Sequence, residues 1–180
     1  MQFKTDRLLL RDLTKNDVSD VFTLFSNSQA MYFLDLPHPN IEYTKNDLDE
    51  VLQAYQEKPR RCFKMAVVLE STQKFIGVVN LEVETSYIKD GRACLDYYFL
   101  PEYWGNGYAT EAGTALIKFA FETLEINKIA TGCLKCNSAS ENVMIRLGMK
   151  KEAELKQHTS FDGEWVNRVE YAILKSEYFA

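Results

Sequence analysis

The chain reads as a mixed α/β (α+β) protein, a mostly antiparallel sheet of about seven strands with about four helices packed around it. Three observations predict this. Two amphipathic helical stripes open the chain, three alternating strands joined by short connections follow, and a glycine-rich turn then links a strand to a long helix. Consecutive strands with short turns favour antiparallel pairing. The 180 residues suit one domain, and neither an internal repeat nor a linker marks a second. A single domain over residues 1–180 is expected.

Each element has a local reason. Leu8-Leu9-Leu10, closed by Arg11-Asp12, is a short apolar run of the kind a buried strand carries. Thr14 is expected to cap the first helix, with Asp17 adding a carboxylate to its first turn. Val18, Val21, Phe22 and Phe25 then fall on one face. Pro37-His38-Pro39-Asn40 interrupts the chain, after which Thr44 is expected to cap a second helix with Leu48, Val51, Leu52 and Tyr55 on its stripe. Phe63, Met65, Val67 and Leu69 alternate along one strand. The next sets Gly77, Val79, Leu81 and Val83 on one side and Ile76, Val78, Asn80 and Glu82 on the other. In residues 93–100, Ala93, Leu95, Tyr97 and Phe99 alternate with Cys94, Asp96, Tyr98 and Leu100. A long helix follows the glycines, with Ala109, Ala112, Leu116 and Ala120 on one face. Lys128 to Leu134 reads as a buried strand, and residues 138–147 as a helix ended by Gly148 at C′. Residues 150–158 and 166–174 form a last hairpin turning at Asp162-Gly163.

Composition narrows the function classes. At 46% apolar residues the chain can build a core. With 21 basic and 26 acidic side chains the net charge is −5, which argues against nucleic acid as a partner and tilts weakly toward cationic ones, amines included. No apolar run approaches the roughly 18 residues of a membrane span, and the opening residues lack a signal-peptide layout. Four cysteines in a chain this long make no disulfide scaffold, so a cytoplasmic, thiol-reduced protein is the expectation. Cys133-x-x-Cys136 is a redox pair or half a zinc site only with further ligands at paired spacing. Cys62, Cys94, His38 and His158 offer none, so two plain buried thiols and no metal are expected.

The chemistry concentrates in residues 93–120. Gly105 and Gly107 let the backbone turn tightly and approach a ligand. The helix behind them offers unpaired N–H groups and a positive dipole end, and Thr110 adds a hydroxyl. Phosphate fits that arrangement. The segment matches neither the dinucleotide nor the mononucleotide glycine fingerprint.

Residues 101–112, Pro-Glu-Tyr-Trp-Gly-Asn-Gly-Tyr-Ala-Thr-Glu-Ala, closely resemble the signature of the GCN5-related N-acetyltransferases (GNAT), most of all their ribosomal-protein (RimJ/RimL-like) branch. Thr5-Asp6-Arg7-Leu8-Leu9-Leu10-Arg11 resembles that branch's opening strand. Asn137-Ser138-Ala139-Ser140, with Val143 and Leu147-Gly148-Met149, resembles its fourth-helix motif. Order and spacing agree across nearly the whole chain. The resemblance implies a splayed sheet, acetyl-CoA as donor, no metal, and an amine acceptor. It places the pyrophosphate on loop amides within Gly105, Asn106, Gly107, Tyr108, Ala109 and Thr110, after Trp104 at the loop's first position. The pantetheine arm then falls on Phe99 and Leu100, the acetyl region on Asn137, and the thiol near Ser140.

The departures matter as much. Relatives often carry a tyrosine acid where this chain has Met144, which leaves Ser140, directly or through water, as the nearest proton donor. Cys94-Leu95-Asp96-Tyr97 stands where the branch often writes Glu-Ile-Gly-Tyr, so the carboxylate moves to Asp96. Burial there would raise its pKa toward a usable base. Glu82, Glu84 or a water are the alternatives. His38 lies in the connection where this family builds its acceptor pocket, near Tyr32, Phe33, Tyr43 and Tyr55, and the turn at Phe161-Asp162-Gly163-Glu164-Trp165 flanks it.

Deprotonating a lysine amine at pH 7 costs roughly 4–5 kcal/mol and an α-amine roughly 1, so a site without a strong base favours the α-amine. The expected activity is direct acetyl transfer to a primary amine, of a protein N-terminus or of a small molecule or antibiotic. A non-enzymatic acyl-CoA-binding sensor on the same fold is the alternative. Monomer and homodimer both stay open.

Overall fold

A computed structural model describes residues 1–34, 37–84 and 88–180. One sheet of eight strands runs through it in the order β1-β2-β3-β4-β5-β6-β8-β7. The strands are β1 (Gln2–Lys4), β2 (Leu8–Asp12), β3 (Met65–Leu69), β4 (Lys74–Val83), β5 (Arg92–Phe99), β6 (Lys128–Leu134), β7 (Lys150–Phe161) and β8 (Glu164–Leu174). Helices α1 (Val18–Phe25), α2 (Ile41–Ala54), α3 (Tyr108–Glu122), α4 (Ser138–Arg146) and the single turn α5 (Lys175–Tyr178), with 3-10 turns at Lys15–Asp17 and Pro101–Tyr103, complete the described elements. The mixed α/β class and the mostly antiparallel pairing match the sequence reading. The eighth strand, β1, is three residues on the sheet's outer edge, too short to show a period.

Two apolar clusters cover the two faces. Leu8, Leu10, Met65, Val79, Leu81 and Leu95 pack toward α3 and α4. Ala66, Val78 and Leu100 pack toward α1 and α2. A β-bulge between β3 and β4 pairs Val67 with Gly77 but Val68 with Phe75, leaving Ile76 as the extra residue. Ile76 therefore joins the cluster of Val79 and Leu81, not the face of Val78 that strict alternation predicts. Phe63 precedes β3, yet exchanges backbone hydrogen bonds with Leu81 and buries its ring.

The helix starts separate one expectation from another. Asp17 closes a short 3-10 turn (Lys15–Asp17) by accepting from both the backbone N–H and the hydroxyl of Thr14, as the sequence suggested. Thr44 caps nothing. Asn40 does, its side chain accepting from the Tyr43 N–H at 2.9 Å, while Thr44 sits fully buried inside α2 and meets His38 Nδ1 at 2.9 Å. Asn outranks a threonine four residues later because the helix already begins after it. Gly148 takes the left-handed C′ conformation expected of it. The last hairpin is longer than read, because Asp162 and Gly163, both at positive φ, form a tight turn that lets the strands pair up to Phe161 and Glu164.

The feature that positions the site is the only parallel pairing in the described sheet. β5 and β6 pair over Arg92–Lys128, Ala93–Ile129 and Cys94–Ala130, and then part. Beyond that point β5 continues through Leu95–Phe99 and β6 through Thr131–Leu134 with a gap between them.

Candidate active site

The gap opens into a cavity of about 440 Å³. Its walls include Tyr97 and Phe99 from β5, Trp104, Gly105 and Gly107 from the loop, Tyr108, Ala109 and Thr110 from α3, and Asn137 and Ser140 at the start of α4. Asp96 lines it as well. Of the residues the sequence singled out, Leu100 and Asn106 are not among the walls.

Leu100 is excluded by the strand's hydrogen-bond alternation. Its N–H donates to Ile76 O at 3.0 Å, on the β4 side, and its carbonyl accepts from Tyr103 N–H. The intervening residues Phe99 and Tyr97 therefore turn their backbone groups toward the gap, and an extended amide-bearing ligand would pair there. The Phe99 carbonyl already accepts from the Trp104 indole N–H at 2.7 Å. Trp104 thus ties the loop to the strand while lining the cavity. Asn106 is exposed and spends its side-chain N–H groups on Tyr103 O and Trp104 O, which shapes the loop from outside.

Gly107, at φ 80°, is the N-cap of α3, a conformation other residues adopt at a cost of about 1–2 kcal/mol. The amides of Tyr108, Ala109 and Thr110 follow it and have no acceptor within the helix. Thr110 Oγ1 is buried without a hydrogen-bond partner. Such an orphaned donor in the first turn fits an oxygen-rich anion like a pyrophosphate, and the residues present therefore suit acetyl-CoA.

Arg7, quoted in the opening-strand resemblance but given no role there, completes the loop. Its Nη1 donates to Asn106 O at 3.0 Å and its Nε to Glu111 at 2.7 Å, and its guanidinium lies 4.6 Å from the Tyr108 ring centroid. Glu111 also accepts from the Thr5 hydroxyl and the Arg7 N–H. Burial opposes its ionisation, but these bonds outweigh that and hold its carboxyl below the ordinary range. A negative side chain beside an anion site is thereby neutralised locally.

The two catalytic candidates flank β5 from opposite faces, because neighbouring strand residues point oppositely. Asp96 faces away from α4. Burial raises its pKa, restrained by hydrogen bonds from Asn80 and Cys94. Glu82 is raised by burial as well, while Glu84 is exposed and pairs with Arg92 at 2.8 Å. Burial pushes the Cys94 thiol up to about 12, so it is no thiolate near neutral pH. Ser140 lies on the α4 side. Asn137 Oδ1 accepts from its N–H at 3.1 Å, and the Tyr97 hydroxyl stands 2.9 Å from its Oγ.

A second cavity, of about 430 Å³, opens beside Cys94 and Asp96 and shares Asp96, Thr131, Gly132 and Arg168 with the first. Apart from Asp96 its charges are matched: Glu84 with Arg92, Glu152 with Lys128 at 2.6 Å, and Glu170 with Arg168 at 2.6 Å. Over the first cavity, Phe33 of the segment between α1 and α2 stacks on Phe161 of the last hairpin at 5.4 Å, and the Tyr32 hydroxyl bonds Asp162. The hairpin tip and that segment thus meet. Tyr55 instead anchors α2 to Lys64 O and the Leu13 N–H. His38 stacks on Phe25, and burial lowers its pKa. Of the paired cysteines Cys133 is buried at the cavity wall, but Cys136 is exposed, against the expectation of two buried thiols. Among the described residues no cluster of three or more His, Cys, Asp or Glu is placed to hold a metal, and no helix is long and apolar enough to cross a membrane.

The splayed strands and the glycine-capped helix start around one cavity define an α/β fold built to receive a ligand between β5 and β6. Residues 7–150 match the family model described as the acetyltransferase (GNAT) domain, and the chain belongs to that family and is an N-acetyltransferase. It is 28% identical over 173 residues to the uncharacterized N-acetyltransferase YoaA of Bacillus subtilis, covering 96% of each. Spermidine N(1)-acetyltransferase of Escherichia coli is 26% identical over 172 residues, 95% of this chain and 88% of the relative. The ribosomal protein uS5-alanine N-acetyltransferase of E. coli is 32% identical over 100 residues, 54% of this chain and 50% of the relative. A GNAT-family acetyltransferase from Bacillus anthracis superposes with a TM-score of 0.83 at 25% identity, covering 98% of this chain and all of that one.

Proposed function

We propose that the protein transfers acetyl directly from acetyl-CoA to a primary amine, and that the preferred acceptor is an α-amine such as a protein N-terminus. Acetyl-CoA, when bound, supplies the acetyl group as a thioester. The amides and hydroxyl of Gly107 to Thr110 hold its pyrophosphate, and the backbone groups of Tyr97 and Phe99 hold its pantetheine arm. Asp96 takes the amine's proton on one side of β5, and Ser140 faces the thiol on the other.

The observation that carries this reading is the half-buried carboxyl of Asp96, the one acidic side chain that lines both cavities among the described residues. A base whose pKa is raised only from the carboxylate range deprotonates an α-amine, at roughly 1 kcal/mol, far more readily than a lysine at roughly 4–5. The matched charges of the second cavity support the same choice, since a polyamine is better served by unpaired carboxylates. The Cys94 thiol, pushed up to about 12 by burial, disfavours an acetyl-cysteine intermediate.

The test is an amine panel with acetyl-CoA and a thiol-detecting reagent. Sequential kinetics and turnover on peptides with free N-termini, above that on spermidine or aminoglycosides, are expected. Preference for spermidine would move the acceptor to the small-molecule class. An acetylated Cys94 with a burst would overturn direct transfer.

A further inference from the structure

We infer that Tyr97 is a positioning residue for the proton donor, its hydroxyl orienting and polarising Ser140 toward the thiol of bound CoA. The inference rests on the reading of the gap between β5 and β6 as the CoA site. It starts from a deficit. Met144, buried and unable to donate, stands in α4, and Glu141 in its first turn is an ionised carboxylate paired with Lys135, so the proton donor nearest the gap is the weak acid of Ser140.

The geometry around Ser140 exceeds what a helix start requires. Asn137 Oδ1 accepts from the Ser140 N–H at 3.1 Å, which already satisfies one first-turn amide. Tyr97 Oη reaches across from β5 to lie 3.0 Å from Ser140 O and 2.9 Å from Ser140 Oγ. A phenol has one proton, so two arrangements exist. In the first, Tyr97 donates to the Ser140 carbonyl and the Ser140 hydroxyl donates to Tyr97 Oη, away from the cavity. In the second, Tyr97 donates to Ser140 Oγ, and the serine proton is free to point into the cavity. A negative charge forming there favours the second arrangement, in which the incoming Tyr97 bond strengthens the serine as a donor. No proton leaves Tyr97 on balance: Ser140 either shares its proton with the sulfur or passes it on and regains one from solvent.

The titratable groups that act on Tyr97 are Cys133 on β6 and, from the opposite face of β5, Asp96; Ser140 of α4 supplies its hydrogen bond. Burial raises the Tyr97 pKa, so the phenol stays protonated through the working pH range and the arrangement persists. Burial also raises the Cys133 thiol, partly restrained by its bond with Ser140.

The experiment titrates CoA on the protein and reads the ultraviolet absorbance of its thiolate against CoA-free protein, which removes the contribution of Cys133. A donor aimed at the sulfur lowers the thiol's apparent pKa. Tyr97→Phe is expected to raise it by about one pH unit, a tenfold loss of thiolate stabilisation, with CoA affinity for the neutral thiol unchanged. Ser140→Ala should raise it at least as far, and Tyr97→Phe added to Ser140→Ala should change nothing more. An unshifted thiol in Tyr97→Phe overturns the inference, as does an equal shift in both backgrounds, which marks Tyr97 as packing only. Failure of the wild-type protein to bind CoA would overturn the site and the inference together, whereas binding without a Tyr97 effect overturns the inference alone.

Discussion

Arg7 and Glu111 stand 104 positions apart in the chain, and their side chains meet at 2.7 Å beside the glycine loop that opens α3. The pair joins the start of β2 to the first turn of α3. Arg7 is about half exposed, so screening limits its worth to global stability to under about 1 kcal/mol. Its effect falls on ligand binding, because without it Glu111 places an uncompensated charge beside the phosphate site and Asn106 O loses its anchor. Arg7→Ala should weaken acetyl-CoA binding about tenfold at low salt, less as ionic strength rises, with little change in Tm. Calorimetric titration at two salt concentrations measures this; an unchanged Kd would show the clamp to be idle.

Thr110 allows a cleaner test of the same site. Its hydroxyl is buried and unpaired in the ligand-free protein, a state that costs stability. Thr110→Val keeps the shape and removes the orphaned group. The free protein should therefore melt no lower than wild type, and acetyl-CoA affinity should fall about tenfold, a loss of about 1.4 kcal/mol. A lower Tm with unchanged affinity would mean that the hydroxyl serves the fold and not the ligand.

Much of this site was legible in the residues, and the illegible parts share a physical cause. Period-two alternation correctly set Asp96 against Tyr97 on β5, and the glycine pair before a small-residue helix start pointed to the loop and helix start that line the first cavity. Alternation fails at Ile76, where a bulge inserts one residue beside Gly77, a signal that strict period-two reading ignores. It also names side chains only, so it could not show that Leu100 spends its backbone groups on Ile76 and Tyr103 while Phe99 keeps its own toward the gap. Arg7 and the Tyr97–Ser140 contact were missed because their partners are remote in sequence. The one available signal was that Tyr97 keeps the branch's usual tyrosine beside an altered Cys94 and Asp96.

Asp17 predicts the acid behaviour of the fold. Burial works against its ionisation, but Arg11 at 2.6 Å and two bonds from Thr14 outweigh that and hold its carboxyl below the ordinary range. A depressed folded-state pKa gives stability that is present above the unfolded value and is lost as pH falls through the folded one. Asp17→Asn should cost about 2–3 kcal/mol near neutrality. The gap to wild type, followed by urea unfolding, should close on acidification below the ordinary carboxylate range. A gap independent of pH would assign the loss to packing.

Asp96 predicts the opposite sign, and with it a conflict between stability and activity. Its folded-state pKa is raised above 3.8 by burial, so the folded protein holds that proton more tightly than the unfolded chain does. Its favourable contribution is therefore complete below the unfolded value and declines as pH rises through the folded one. Asp96→Asn keeps the bond to Asn80 within reach and removes a buried charge, so the variant should melt higher than wild type at pH 8 and differ less at pH 5. The same change removes the proposed base. Acetyl transfer should fall by about 10²–10⁴ with acetyl-CoA affinity retained, and the acidic limb of the wild-type kcat/KM profile should disappear. That limb should lie above the ordinary carboxylate range in the wild type. If Asp96→Asn instead loses stability most at high pH, the carboxylate is a structural anion held by its neighbours, and the base must be sought at Glu82, which also faces α1 and α2 and is also raised by burial.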